Sequence, residues 1–163
     1  MDIGVGDAVY PPAEPAKYPG LLDFPQATIR CYRPETILAE KIHALVKLGA
    51  INSRMKDIYD IWQIASQTKL EGTVFAKALR GTFEQRQTDF PESLVIFSSR
   101  YIHQRREAAW KAIGKRLSSV DHLPGFSKTL GQLALFLLPI MDALYQDQDF
   151  TQGWDPTKGW AWH

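Results

Sequence analysis

Cysteine is nearly absent: one residue, Cys31, in a chain of 163. An intramolecular disulfide and a cysteine-rich zinc site are therefore excluded. Placed between Arg30 and Tyr32, Cys31 reads as a structural residue, and a reducing, cytoplasmic setting fits it. Long apolar runs are also missing. The longest spans residues 133–141, far short of the roughly 20 residues that cross a bilayer, so it reads as a buried helix and no membrane partner is expected. The N-terminus has no basic segment followed by an apolar one, so no signal peptide is expected. Charge of one sign is not in excess: 19 Lys and Arg stand against 18 Asp and Glu, a net charge of +1. Bulk electrostatics then give no reason to expect nucleic acid or a membrane surface, although a local patch can still act. The four histidines (His43, His103, His122, His163) have no metal-ligand spacing, and no internal repeat or low-complexity tract is present.

What remains suits an ordinary domain. The chain is 45% hydrophobic and 23% charged, enough to bury a normal core. Met1 to Asp7 reads as a strand entered without a preceding turn, with Gly4 and Gly6 as signs of a bulge or close backbone approach. Residues 8–25, with five prolines, read as a loop, and Thr28 to Tyr32 as a second strand. Arg33-Pro34-Glu35-Thr36 opens a helix: Pro34 suits the first turn and Glu35 the positive end of the dipole. Ile37, Leu38, Ile42, Leu45 and Leu48 carry its period and Gly49 is a plausible stop. Ser53 is a candidate N-cap for a second helix through Ile58, Ile61, Trp62 and Ala65. Three further amphipathic segments follow, over 74–86, 101–117 and 127–145. The tail from Asp147 carries Phe150, Trp154, Trp160 and Trp162 without helical period, and suggests either a strap on the domain surface or a binding arm.

The first two helices carry charge on faces that also carry large apolar residues, which costs free energy unless the charge is paired or used. Asp57 and Asp60, three apart, share a helix face. Arg54 lies three before Asp57 and Lys56 four before Asp60. The plain reading is a ladder of surface ion pairs, each worth about 0.2–0.5 kcal/mol. The functional reading is a carboxylate oriented by basic neighbours beside a lysine, Lys41, that meets a phosphate. Asp2 sits on the first strand, where a carboxylate is either a surface residue at a strand end or a metal ligand. The segment 100–116 collects Arg100, Arg105, Arg106, Lys111, Lys115 and Arg116 around Tyr101 and Trp110. It is the best local candidate for contact with a nucleic-acid backbone; the plain alternative is a solvated helix face.

Taken in order, the strand Asp2 to Asp7, the helix Glu40-Lys41-Ile42-His43-Ala44 and the block Arg54 to Ile61 resemble the AbiEii/AbiGii-type nucleotidyltransferase toxins of the DNA polymerase β-like superfamily. The resemblance implies an α+β fold, predominantly helical: a partial nucleotidyltransferase sheet over 1–33, a helical domain over 34–146 and the Trp-rich tail over 147–163. It implies transfer of a nucleotidyl group from an NTP with Mg²⁺, in some members to tRNA, and an antitoxin encoded alongside. Lys41 would contact the NTP phosphates, Asp57 would orient the lysine or the incoming group, Arg54, Lys56 and Asp60 would support, and Asp2 would be a metal-binding carboxylate.

The chain departs from that family in one respect. The Gly-Ser turn and paired Asp-x-Asp that supply the first two metal ligands are missing: no Gly-Ser dipeptide occurs, and Asp147-Gln148-Asp149 follows the last helix. The expectation is a C-terminal portion of such an enzyme, inactive alone, that holds NTP and Mg²⁺ weakly if at all. Self-association through an exposed sheet edge is a further expectation. Two other readings are a non-catalytic helical module that binds an antitoxin or an RNA, and a remnant with no present activity.

Overall fold

The computed structural model describes residues 9–19, 25–49, 54–99, 101–117 and 123–161. Asp2 and the strand expected over residues 1–7, the Ser53 cap and Arg100 lie outside them. A two-stranded antiparallel hairpin opens the described chain, β1 (Glu14–Tyr18) against β2 (Ala27–Cys31), with Glu14 opposite Cys31 and Tyr18 opposite Ala27. The hairpin lies largely in solvent. β1 falls where the prolines predict a loop. Pro15 is tolerated because, among the described residues, the sheet has two strands, each of them an edge.

Five α-helices follow: α1 (Pro34–Leu48), α2 (Met55–Gln67), α3 (Gly72–Gln85), α4 (Gln104–Arg116) and α5 (Phe126–Tyr145). The architecture is therefore α+β and mostly helical. α1 begins with Pro34 at its first position and ends at Gly49, whose φ of +49° is one that glycine adopts without strain. Glu35, in the first turn of α1, is buried, and its Oε1 accepts a hydrogen bond from Arg33. α4 starts three residues later than its period predicts, because His103 is extended.

The core gathers one face from each helix. Leu38, Ile42 and Leu45 of α1, Ile58 and Ile61 of α2, Phe75, Leu79 and Phe83 of α3, and Leu133, Phe136, Leu137 and Ile140 of α5 are all buried. Phe136 is its aromatic centre. Its ring stacks on Phe75 at 5.6 Å on one side and on Trp160 at 5.6 Å on another, and meets Trp154 edge-on at 4.8 Å. Such pairs contribute about 0.5–1.5 kcal/mol each beyond the area they bury.

The tail lies on this core. β4 (Gly153–Asp155) pairs with β3 (Leu70–Glu71) on one side and β5 (Gly159–Ala161) on the other, giving a small antiparallel sheet. The two described indoles of the tail find acceptors: Trp154 Nε1–H donates to Ala65 O at 2.7 Å and Trp160 Nε1–H to Phe136 O at 2.8 Å. The amide of Gly72 donates to Gln152 O at 2.9 Å, which pins the start of α3 to the tail.

That contact leaves no room for a side chain. A Cβ on Gly72 would stand 2.1 Å from Gln152 O and 2.8 Å from Phe150 Cδ1. Gly72→Ala is therefore expected to cost about 1–3 kcal/mol. Gly131→Ala, within α5 and with nothing within 4 Å of the new methyl, is expected to gain about 0.5–1 kcal/mol. Urea midpoints of the two variants check this; equal midpoints would contradict the tail packing.

Candidate functional site

Two carboxylates and three cations meet where α1 crosses α2. Ile58 and Ile61 are fully buried and fix the rotation of α2. Asp57, one residue before Ile58, is thereby carried to the edge of the core, and Asp60 lies one turn further on the same face. Lys41, next to the buried Ile42 on α1, points between them. Its Nζ donates to Asp57 Oδ1 at 3.1 Å and stands 2.7 Å from Asp60 Oδ2. Arg54 closes the other side of Asp57, Nε to Oδ2 at 2.8 Å, and Lys56 closes Asp60 at 2.5 Å.

The five groups differ in exposure. The Asp57 side chain is 5% exposed, while those of Asp60 and Lys41 retain 18% and 23% and those of Arg54 and Lys56 lie about three-fifths in solvent. The cluster is thus open on its cationic rim and closed beneath. Arg54 approaches Asp57 Oδ2 off the axis of a hydrogen bond, so among the described residues that buried oxygen has an ion-pair partner but accepts no aligned donor. Burial works to lower the pKa of Lys41, but the hydrogen bonds and charges of Asp60 and Asp57 outweigh it and hold the ammonium above its ordinary value. Lys41 is consequently a fixed cation at neutral pH and not a base.

The neighbouring residues of α1 face elsewhere. Glu40 pairs with Arg86 at the end of α3; 46 positions separate them, so no spacing within a helix announces the pair. His43 is buried against the edge of Phe83 at 5.2 Å. Thr88 donates its hydroxyl proton to Arg86 O, which leaves its oxygen to accept from His43 Nε2–H at 3.0 Å. The basic residues of α4 are not drawn together with the cluster as a group. Arg105, Lys111 and Lys115 are exposed, whereas Arg106 lies over the ring of Tyr101, 3.6 Å from its centroid, and its Nε is 3.2 Å from His103 Nε2.

No group of three or more potential ligands suited to a metal ion occurs among the described residues. The chemistry of the cluster agrees. Asp57 and Asp60 are already matched by three cations, and a dication placed there would face net positive charge. The residues described do not fit Mg²⁺, but they do fit a polyanion: an ammonium with two carboxylate partners and two solvent-exposed cations at the rim.

The family model described as nucleotidyl transferase AbiEii toxin, Type IV TA system, matches residues 1–132 of the chain. That range takes in the hairpin, α1 to α4 and the whole ion-pair cluster. No curated protein and no solved structure matches.

Two consequences can be measured. Lys41→Met leaves both carboxylates short of a partner and is expected to cost about 1–3 kcal/mol; combined with Asp57→Asn the loss should be less than additive. Additive losses would mean that the pair is not coupled. The second consequence concerns His43, whose pKa is lowered by burial and then by Arg86 and Lys47. The unfolded chain takes up this proton below about pH 6.5, where the folded chain resists it. His43 therefore stabilises the fold fully above that pH, and the contribution is lost as pH falls toward the folded-state value. The drop in thermal midpoint between pH 7.5 and 5.5 should be smaller in His43→Gln than in the unmodified chain; equal drops would contradict this.

Proposed function

The chain belongs to the AbiEii nucleotidyl transferase toxin family of type IV toxin–antitoxin systems, and on that premise we propose that Lys41, Asp57 and Asp60 form the phosphate-handling part of its nucleotidyl-transfer site. In this reaction an acceptor hydroxyl gives up its proton to solvent and its oxygen forms a bond to the α-phosphorus of an NTP. The bond from that phosphorus to the bridging oxygen breaks, and pyrophosphate leaves with the electron pair. Negative charge builds on the leaving phosphates, and a preorganised cation stabilises it. Lys41 suits this role as a compact charge that stays protonated. Asp57 holds it in place, and Arg54, Lys56 and Asp60 support.

The observation that carries this reading is the double clamp on Lys41 by one nearly buried and one half-buried carboxylate. A lysine kept only for packing or solubility needs no second carboxylate. The family reading also assigns the chain an antitoxin partner. The acceptor in our proposal is the end of a tRNA. The exposed Arg105, Lys111 and Lys115 meet its backbone, and none of the three has an ion-pair partner among the described residues. The reading assigns Asp2 to metal binding and Arg100 to RNA contact. Because the 163 residues contain no Gly-Ser turn with a paired Asp-x-Asp behind it, the chain by itself is proposed to bind NTP without turnover.

Incubating the chain with labelled NTPs, Mg²⁺ and tRNA tests both parts. Binding without transfer is expected, weakened about tenfold or more in Lys41→Ala, the loss of one charge-assisted contact. Transfer by the chain alone would overturn the inactivity. NTP binding unchanged in Lys41→Ala and in Asp57→Asn would overturn the site.

A further inference from the structure

A groove of about 500 Å³ runs between the start of α2 and one face of α4. Its floor is apolar: Ala109, Ala112 and Ile113 recur at i, i+3 and i+4 of α4 and so share one face. Its rim is cationic, with Arg54 and Lys56 from α2 and Arg116 from α4. Among the described residues no carboxylate lines it. Arg116 is exposed and, among the described residues, its side chain has no ion pair or hydrogen bond, which leaves the guanidinium donors to a ligand.

The groove is continuous with the cluster described above. Arg54 and Lys56 face the groove and also bind Asp57 and Asp60, the same two carboxylates that hold Lys41. A ligand that suits both ends is anionic where the cations converge and flat and largely apolar where the alanines lie. The small side chains of Ala109 and Ala112 leave space for a ring, and a guanidinium beside that space can stack on it or donate to its edge. The volume falls within the range that encloses small ligands.

We propose that this groove seats the base and ribose of the nucleotide whose phosphates the Lys41 cluster takes, with Arg116 as the residue that fixes them. The inference rests on the phosphate-handling role given to Lys41, Asp57 and Asp60, and it adds α4 as the element that sets which nucleoside is held. Lys111 and Lys115, on the same helix, face a separate cavity beside the start of α5, so the RNA contacts and the base seat do not compete.

Titrating the full chain with each of the four NTPs and with inorganic triphosphate, all with Mg²⁺, separates the two claims. Lys41→Ala is expected to weaken both kinds of probe. Arg116→Ala is expected to weaken NTPs roughly tenfold. Ala112→Phe, which fills the floor, is expected to weaken NTPs by a similar factor and leave triphosphate unchanged. Arg116 and Ala112 are exposed, and unchanged thermal midpoints would establish that both variants fold. Lys41→Ala effective but Arg116→Ala and Ala112→Phe silent would overturn the groove and leave the cluster standing. The reverse pattern would overturn the role of the cluster, and with it the proposed continuity. No NTP binding by the unmodified chain would overturn both.

Discussion

The buried carboxylate of Asp57 is the constraint on which the site turns. A charged oxygen taken out of water costs several kcal/mol unless it is matched by opposite charge at hydrogen-bond distance. The side chain is 5% exposed, so the match must come from within. Lys41 reaches it from α1 and Arg54 from the residue just before α2, while Lys41 is itself shared with Asp60. The helices are packed by their apolar faces, but their axial register is the one that places the ammonium between two carboxylates. Removing one member leaves the others uncompensated, and the cluster behaves as a unit.

The same electrostatics favour exchange over permanence. Three cations face two carboxylates, and the cations on the rim are largely hydrated. In the proposed role, an incoming polyanion would take Arg54 and Lys56 from the surface while Asp57 keeps Lys41 aimed and protonated, so the structural pairs would become binding groups without rebuilding the fold. A surface ladder would give up little on losing its charges. Here the buried oxygen fixes the geometry beforehand, which is the condition for electrostatic stabilisation of a developing charge.

Much of this was legible along the chain, and what was not has physical reasons. Pro34 and Gly49 bracket α1 because a fixed φ and a left-handed φ are local demands. The i, i+3 and i, i+4 pairs of Arg54–Asp57 and Lys56–Asp60 are equally local. The depth of Asp57 is not, since it depends on how α1 lies over α2. Ladder-strength pairing therefore understates its coupling. β1 was hidden by Pro15, which reads as a breaker until β2 is seen to be its one strand partner among the described residues. The tail was hidden for a different reason: strands of three residues carry no period, and β4 finds β3 more than 80 positions away. The tryptophans there left a surface strap and a binding arm equally open, and the N–H groups of Trp154 and Trp160 go to the backbone carbonyls of Ala65 and Phe136. The α2–α4 groove, likewise, exists only once two distant segments meet.

The central claim is that Lys41 is clamped by two carboxylates and passes to a nucleotide phosphate. Nitrogen-15 NMR of the Lys41 side-chain ammonium, recorded with and without an NTP and Mg²⁺, tests it most directly. A slowly exchanging, charged Nζ signal is expected, coupled to the Asp57 and Asp60 carboxylates in the free chain and shifted on saturation with NTP. A signal that exchanges like a solvated lysine, or one that stays fixed while NTP binds elsewhere, would contradict it.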